Sequence, residues 1–312
     1  MSQLDQGEFT AELNGLRLWY KVSGRGPACL FPSPGWGPSS DLYFNTLKGL
    51  EEHFTVVYLD SRGSGRSEAP PEPTGYRYDD FAADLEALRV HLGCGPVWAA
   101  GHSMAGILAM RFALMYPPSC AGLVLIDSDY LRDKAWKADA VPRRARRENE
   151  PWYKEALAAQ ATVHDSQEKI DQAVRMGLLF AFHDVTKASL LEQGDPPPTP
   201  TPPNSPPPNS PPPGPRSSSS QAMRGVAESN KGQPVLPLEQ IKAPTLILVG
   251  ASDDRCSIFQ ATRLHLGIAG SKLMVIEEAG HFPWLEQPEA FFAAVRSGLA
   301  ALGATVTAYP PR

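Results

Sequence analysis

Cysteine is scarce in this sequence. Four occur in 312 residues, Cys29, Cys94, Cys120 and Cys256, with no CxxC pair among them. That pattern argues against a disulfide framework and against a paired-thiol metal site, so no metal is expected. Three of the four sit in or beside apolar runs that read as buried, as reduced core thiols would in a cytoplasmic protein. Long apolar runs are also missing. Nothing approaches the ~20 residues of a membrane span, and the opening MSQLDQGEFTAEL is too polar for the apolar centre of a signal peptide. No basic excess exists either: the formal charge is −5, which disfavours nucleic acid as a partner. The 42% hydrophobic content supports a sizeable core, and the length suits one large domain with an insertion or two modest ones.

Asn14-Gly15 between two strand-like runs predicts an opening β-hairpin. Short apolar runs follow at 28–31, 55–60, 96–101, 122–127, 245–250 and 272–277. Their length and their apolar character on both faces suit strands covered by helices on both sides. Segments with helical spacing lie between them, as where Phe81, Leu85, Leu88 and Leu92 share one face of 78–92. Such alternation predicts an α/β fold with a mostly parallel central sheet. The rhythm breaks from about 131 to 240, where helical stretches replace strands, so 1–130 and 241–312 read as the core and 131–240 as an inserted helical cap. Within it, residues 196–215 hold 13 of the chain's 32 prolines. Such a tract, about 195–220 with its flanks, reads as a solvated polyproline loop; a docking site for a proline-recognising module is the sharper alternative.

GHSMAG at 101–106 sits between a strand-like run and a helical one. This is the context of a nucleophile elbow, in which small neighbours hold Ser103 in a strained turn with its hydroxyl projecting above the sheet. A serine that merely caps the next helix is the competing reading, but caps need no glycine two residues earlier. The hydroxyl needs a base. Among seven histidines, His281 follows the last buried run and precedes a helix starting near Pro288, which puts it at the sheet edge where Ser103 emerges. His53, His91 and His265 suit packed or solvated roles, and His102 should point away from the elbow. The orienting acid is Asp253, just past the run 245–250, with Asp127 at the end of 122–127 as its rival and Asp254 adjacent. Met104 supplies one backbone donor for a developing oxyanion. Because Pro32 and Pro34 have no N–H, the loop FPSPGWGPSS supplies the second from Ser33, Gly35 or Trp36, with Gly35 or Trp36 preferred since glycine lets the backbone approach the substrate. Trp36, His183, Trp136 and Trp152 are candidate substrate contacts. Arg143, Arg144, Arg146 and Arg147 read as a solvated cap face rather than an anion site.

These motifs resemble the α/β-hydrolase superfamily over nearly the whole chain. LDSRGSGRSE at 59–68 is similar to a D-x-R-G-x-G-x-S segment prominent in proline iminopeptidases, GASD at 250–253 to the family's acid turn, and GHFP at 280–283 to its histidine loop. The resemblance implies a serine hydrolase of small-molecule esters or lactones that needs no cofactor. Iminopeptidases usually carry HGGPG and GGSWGG-like segments where this chain has PSPGWG and GHSMAG. A histidine-free PxGxG-like loop also occurs in hydrolases of zearalenone-type macrocyclic lactones. A non-catalytic receptor on the same fold, or an interaction protein using the proline tract, are the non-enzyme alternatives.

Overall fold

The computed structural model describes residues 4–162, 166–194 and 220–304; the proline tract at 196–215 lies outside them. Asn14 and Gly15 take φ of 50° and 77°, the two positive values a tight hairpin turn requires. They join β1 (Gly7–Leu13) to β2 (Leu16–Gly24), with Leu13 opposite Leu16. Six more strands follow the apolar runs: β3 (Ala28–Pro32), β4 (Thr55–Leu59), β5 (Val97–His102), β6 (Cys120–Ile126), β7 (Thr245–Gly250) and β8 (Lys272–Ile276). Together they form one sheet in the order β1-β2-β4-β3-β5-β6-β7-β8. β2 runs antiparallel to β1 and β4, and every other pairing is parallel.

Every residue of β4, β5 and β7 is buried, because helices cover both faces. The strand period of two sorts the side chains. Val57, Leu59, Leu123 and Leu125 join one cluster with Met110 and Phe112, while Val56, Tyr58, Val124 and Ile126 join another with Phe291 and Val295. Each such side chain contributes about 1.5–3 kcal/mol by leaving water. β8 departs from the two-sided expectation. It is the sheet's last strand and Val275 is 40% exposed.

The covering helices are α1 (Asp41–Thr46), α2 (Tyr78–His91) and α3 (Met104–Met115), then α4 (Lys134–Ala145), α5 (Tyr153–Ala161), α6 (Gln167–Leu178) and α7 (Ser220–Ser229) between β6 and β7, and finally α8 (Ile258–Gly267), α9 (Pro283–Glu286) and α10 (Pro288–Ala301). The chain passes from β3 to β4 on one side and returns to β5 on the other. That reversal leaves a crevice at the carboxyl ends of β3 and β5. Helices of the β6–β7 segment dock on the core around it. α7 lies so close to Tyr76 that a Cβ on Gly225 would come within 2.4 Å of the ring, and Asn230 just beyond accepts a hydrogen bond from the Tyr78 amide at 2.9 Å.

Candidate active site

Ser103 joins β5 to α3 with φ 57° and ψ −125°, a conformation a non-glycine residue adopts only when its surroundings enforce it. Its N–H donates to Ile126 O at 3.0 Å, and its carbonyl accepts from Gly106 and Asp129 N–H at 3.0 Å each. A Cβ on Gly101 would sit 2.3 Å from Ala105 O, and one on Gly106 would sit 2.1 Å from Ser128 Oγ. Close approach therefore falls on Gly101 and Gly106, and the methyl of Ala105 is accommodated in full burial.

The loop after β8 carries His281 and the turn after β7 carries Asp253. Both are buried, and His281 Nδ1 donates to Asp253 Oδ2 at 2.8 Å. Burial opposes the charge on Asp253, but the His281 ring and the Arg255 and Cys256 amides hold its carboxyl well below the usual carboxylate range. Asp127 does not reach His281. Its Oδ1 accepts from Gly250 N–H at 2.9 Å, and its Oδ2 meets no donor among the described residues. Burial and the Asp253 charge push its pKa well up, so Asp127 is the member of the pair that takes a proton more readily. Cys256 Sγ lies within 4.8 Å of the Asp253 and His281 ligand atoms. Burial and the charge of Asp129 raise its thiol far above its ordinary value, and His281 Nδ1 is already engaged. This donor set does not suit a metal, which would need the thiolate that burial disfavours.

His102 does more than point away. Its Nε2–H donates to His281 O at 2.8 Å and its Nδ1 accepts from Tyr43 Oη at 3.1 Å, and the two imidazoles lie 4.5 Å apart with their planes tilted by 48°. Burial and the neighbouring His281 push the His102 pKa well down, consistent with this neutral tautomer. Glu286 braces the same loop. Its buried carboxylate accepts from Gly280, His183 and Asp184 amides at 2.6, 2.9 and 3.0 Å.

The loop after β3 is held by the segment after β4. Ser61 N–H donates to Ser33 Oγ and Ser61 Oγ to Ser33 O, at 3.0 and 2.7 Å. Gly65 N–H donates to Gly37 O at 3.0 Å, and Asp60 accepts from Ser40 N–H at 2.7 Å and Arg66 Nε at 2.8 Å. Ser33 N–H is spent on Leu59 O at 2.8 Å, which removes it as an oxyanion donor. Among the described residues the amides of Gly35, Trp36 and Met104 make no hydrogen bond. Sequence reasoning attached no role to Asp60, Ser61 and Arg66, although the motif at 59–68 marked the segment.

Ser103, His281 and Trp36 line one cavity of about 380 Å³. Residues of the β6–β7 segment form much of the rest, including an α6 stripe of Ile170, Ala173, Val174 and Gly177. Trp136, Trp152 and His183 are not in the lining. Trp152 packs edge-on against Phe180 at 5.0 Å, Trp136 lies beside the Arg132 guanidinium at 5.2 Å, and His183 bonds Ser252 Oγ at 2.8 Å. The arginine run is not a uniformly solvated face. Only Arg146 is exposed. Arg143 and Arg147 turn inward to Asp254 at 3.3 and 3.0 Å. Arg144 faces the cavity, as do Arg132 and Arg255, and the described lining has no Asp or Glu.

The sequence model of the alpha/beta hydrolase fold matches residues 33–288. The chain belongs to the alpha/beta hydrolase family. It is 25% identical over 289 residues to an uncharacterized protein of Mycobacterium tuberculosis, covering 89% of this chain and 77% of that one. A putative carbamate hydrolase of Pantoea ananatis is 34% identical over 113 residues, 35% of this chain and 41% of its own length. Similar solved structures include an alpha/beta fold family hydrolase of Bacillus anthracis (TM-score 0.71, 18% identity, covering 94% of this chain and 99% of that one). A proline iminopeptidase-related protein of Thermus thermophilus superposes with TM-score 0.67 at 22% identity over 98% and 100% of the two chains. An N-acyl homoserine lactone degrading enzyme does so with TM-score 0.58 at 21% identity over 92% and 99%. At these identities the structural likenesses establish the fold alone.

Proposed function

We propose that this alpha/beta hydrolase cleaves a carboxylic ester or lactone through an acyl-enzyme on Ser103, with His281 as base and Asp253 as orienting acid. The observation that carries the reading is the buried 2.8 Å bond from His281 Nδ1 to Asp253, beside a cavity that Ser103 in its elbow conformation also lines. Because Nδ1 is committed to the carboxylate, Nε2 is the nitrogen left to take the serine proton. Oγ attacks the acyl carbon, and the charge that develops on its oxygen is met by the Met104 amide and by the Gly35 or Trp36 amide. The imidazolium then protonates the departing alkoxide, and water repeats the sequence on the acyl-enzyme. Trp36 offers an apolar wall for the acyl portion. We assign the β6–β7 helices the role of a cap that shapes the pocket and shields it from water. Four free cysteines fit a reducing compartment. No helix of the described residues is long and apolar enough to cross a membrane.

The aminopeptidase alternative requires a carboxylate to grip a substrate ammonium. The described lining offers none and presents three guanidinium groups instead. A panel of p-nitrophenyl esters, a macrocyclic lactone and a prolyl-amide dye separates these readings. Ester or lactone turnover is expected, and release of proline alone would replace the proposal.

A further inference from the structure

Arginines on one helix have unlike surroundings. Arg143 and Arg147 on and just after α4 share Asp254, and Arg143 also pairs with Asp139 at 2.9 Å. Arg144, next to Arg143, lines the Ser103 cavity and makes no ion pair among the described residues. Among the described residues its Nη1 has only Gln160 Oε1 at 3.4 Å, and its buried Nε has no partner. Arg255, from the turn that also bears Asp253, is similar, since among the described residues its guanidinium has only the Gly177 carbonyl at 3.4 Å. Both line the Ser103 cavity, as does Arg132, whose charge is met by Asp129 at 2.7 Å. A guanidinium presents five donors, and keeping two of them short of acceptors in a partly desolvated wall costs free energy that a bound anion would return. Burial disfavours the charge of each, and a neighbouring guanidinium adds to it, Arg255 acting on Arg144 and Arg132 on Arg255, so both are held below the usual arginine value.

We propose that the substrate carries a free carboxylate besides its scissile ester or lactone, and that Arg144 and Arg255 bind it. Planar guanidinium forks match a carboxylate in shape and charge. The α6 stripe of Ile170, Ala173 and Val174 between Gln160 and Gly177 in sequence gives the same cavity an apolar wall for the carbon skeleton that joins the two ends. The inference rests on the reading of Ser103 as nucleophile, and Arg144 and Arg255 act as specificity determinants of that reaction. Guanidinium groups in a wall without a carboxylate of its own also favour anionic substrates over cationic ones.

The experiment compares p-nitrophenyl monoesters of four-, six- and eight-carbon dicarboxylic acids with the same compounds capped as methyl esters. At the best chain length the free acid should exceed its capped partner at least tenfold in kcat/KM. That ratio, read within each variant so that a general loss of activity cancels, should fall at least tenfold in Arg144→Gln and in Arg255→Gln and persist in the exposed Arg146→Gln. A ratio near one at every length, or one that survives both substitutions, would overturn the proposal. If no ester is turned over, the hydrolase reading fails by itself. Calorimetric titration of Ser103→Ala with monomethyl suberate then decides the anion site: binding weakened tenfold by adding Arg144→Gln supports it, and absent or unchanged binding refutes it.

Discussion

Asp127 and Asp253 stand just beyond the adjacent strands β6 and β7, both fully buried, and their surroundings push their proton affinities in opposite directions. Asp253 holds the charge because His281 and two amides face it. Burial, and then the charge of its neighbour, push the Asp127 carboxyl well up, so it takes a proton more readily. Asparagine imitates a protonated carboxyl well and an ionised one badly. Asp253→Asn should therefore lower kcat by roughly a thousandfold or more, while Asp127→Asn lowers it less than tenfold. Steady-state kinetics on one ester checks both, and the opposite ranking would move the orienting role to Asp127.

The same pair sets a pH dependence of stability. Asp127 has a raised folded pKa, so between its ordinary unfolded value of ~4 and that raised value the folded state binds the extra proton and stability falls as pH rises, by up to about 1.4 kcal/mol per pH unit. Asp127→Asn deletes this contribution. Urea unfolding at pH 4.5 and 6.5 should show the variant gaining on the wild type at the higher pH. Asp253, with its depressed pKa, contributes the reverse: stability that is present above ~4 and is lost as pH falls through its folded value.

Asp254 couples the acid turn to the segment between β6 and β7. It accepts from Arg143 and Arg147, and Arg143 also reaches the Asp253 carbonyl at 2.6 Å. Asp254→Asn leaves the half-buried Arg147 without its counter-charge and Arg143 with Asp139 alone, a loss on the order of 3 kcal/mol when one member of such a network is removed. Thermal unfolding should register that loss clearly, while kcat stays much closer to wild type than in Asp253→Asn.

Local signals made most of the fold legible. The runs at 55–60 and 245–250 became β4 and β7 because continuous apolar residues suit only a strand covered on both faces, and Asn14-Gly15 forced its hairpin through backbone sterics alone. Ser103, His281 and Asp253 could be named because each sits in a turn directly after a strand, where position along the chain fixes position in space. The cavity wall was not legible. Trp152 stands just before α5 and Arg144 lies on α4, and only tertiary packing decides that the indole meets Phe180 while the guanidinium enters the pocket. The reach of His102 to the His281 carbonyl was equally hidden, since it joins residues 179 apart in sequence.

The most direct measurement is covalent capture of the nucleophile. Incubation with a fluorophosphonate should add one phosphonyl group to the intact mass, abolish ester turnover in step, and place the adduct on the peptide containing Ser103. Ser103→Ala, with its native fold confirmed by circular dichroism, should take up no label and lose at least a thousandfold in kcat. An adduct on another residue, or an unlabelled Ser103→Ala protein that still hydrolyses esters at near wild-type rate, would contradict the account.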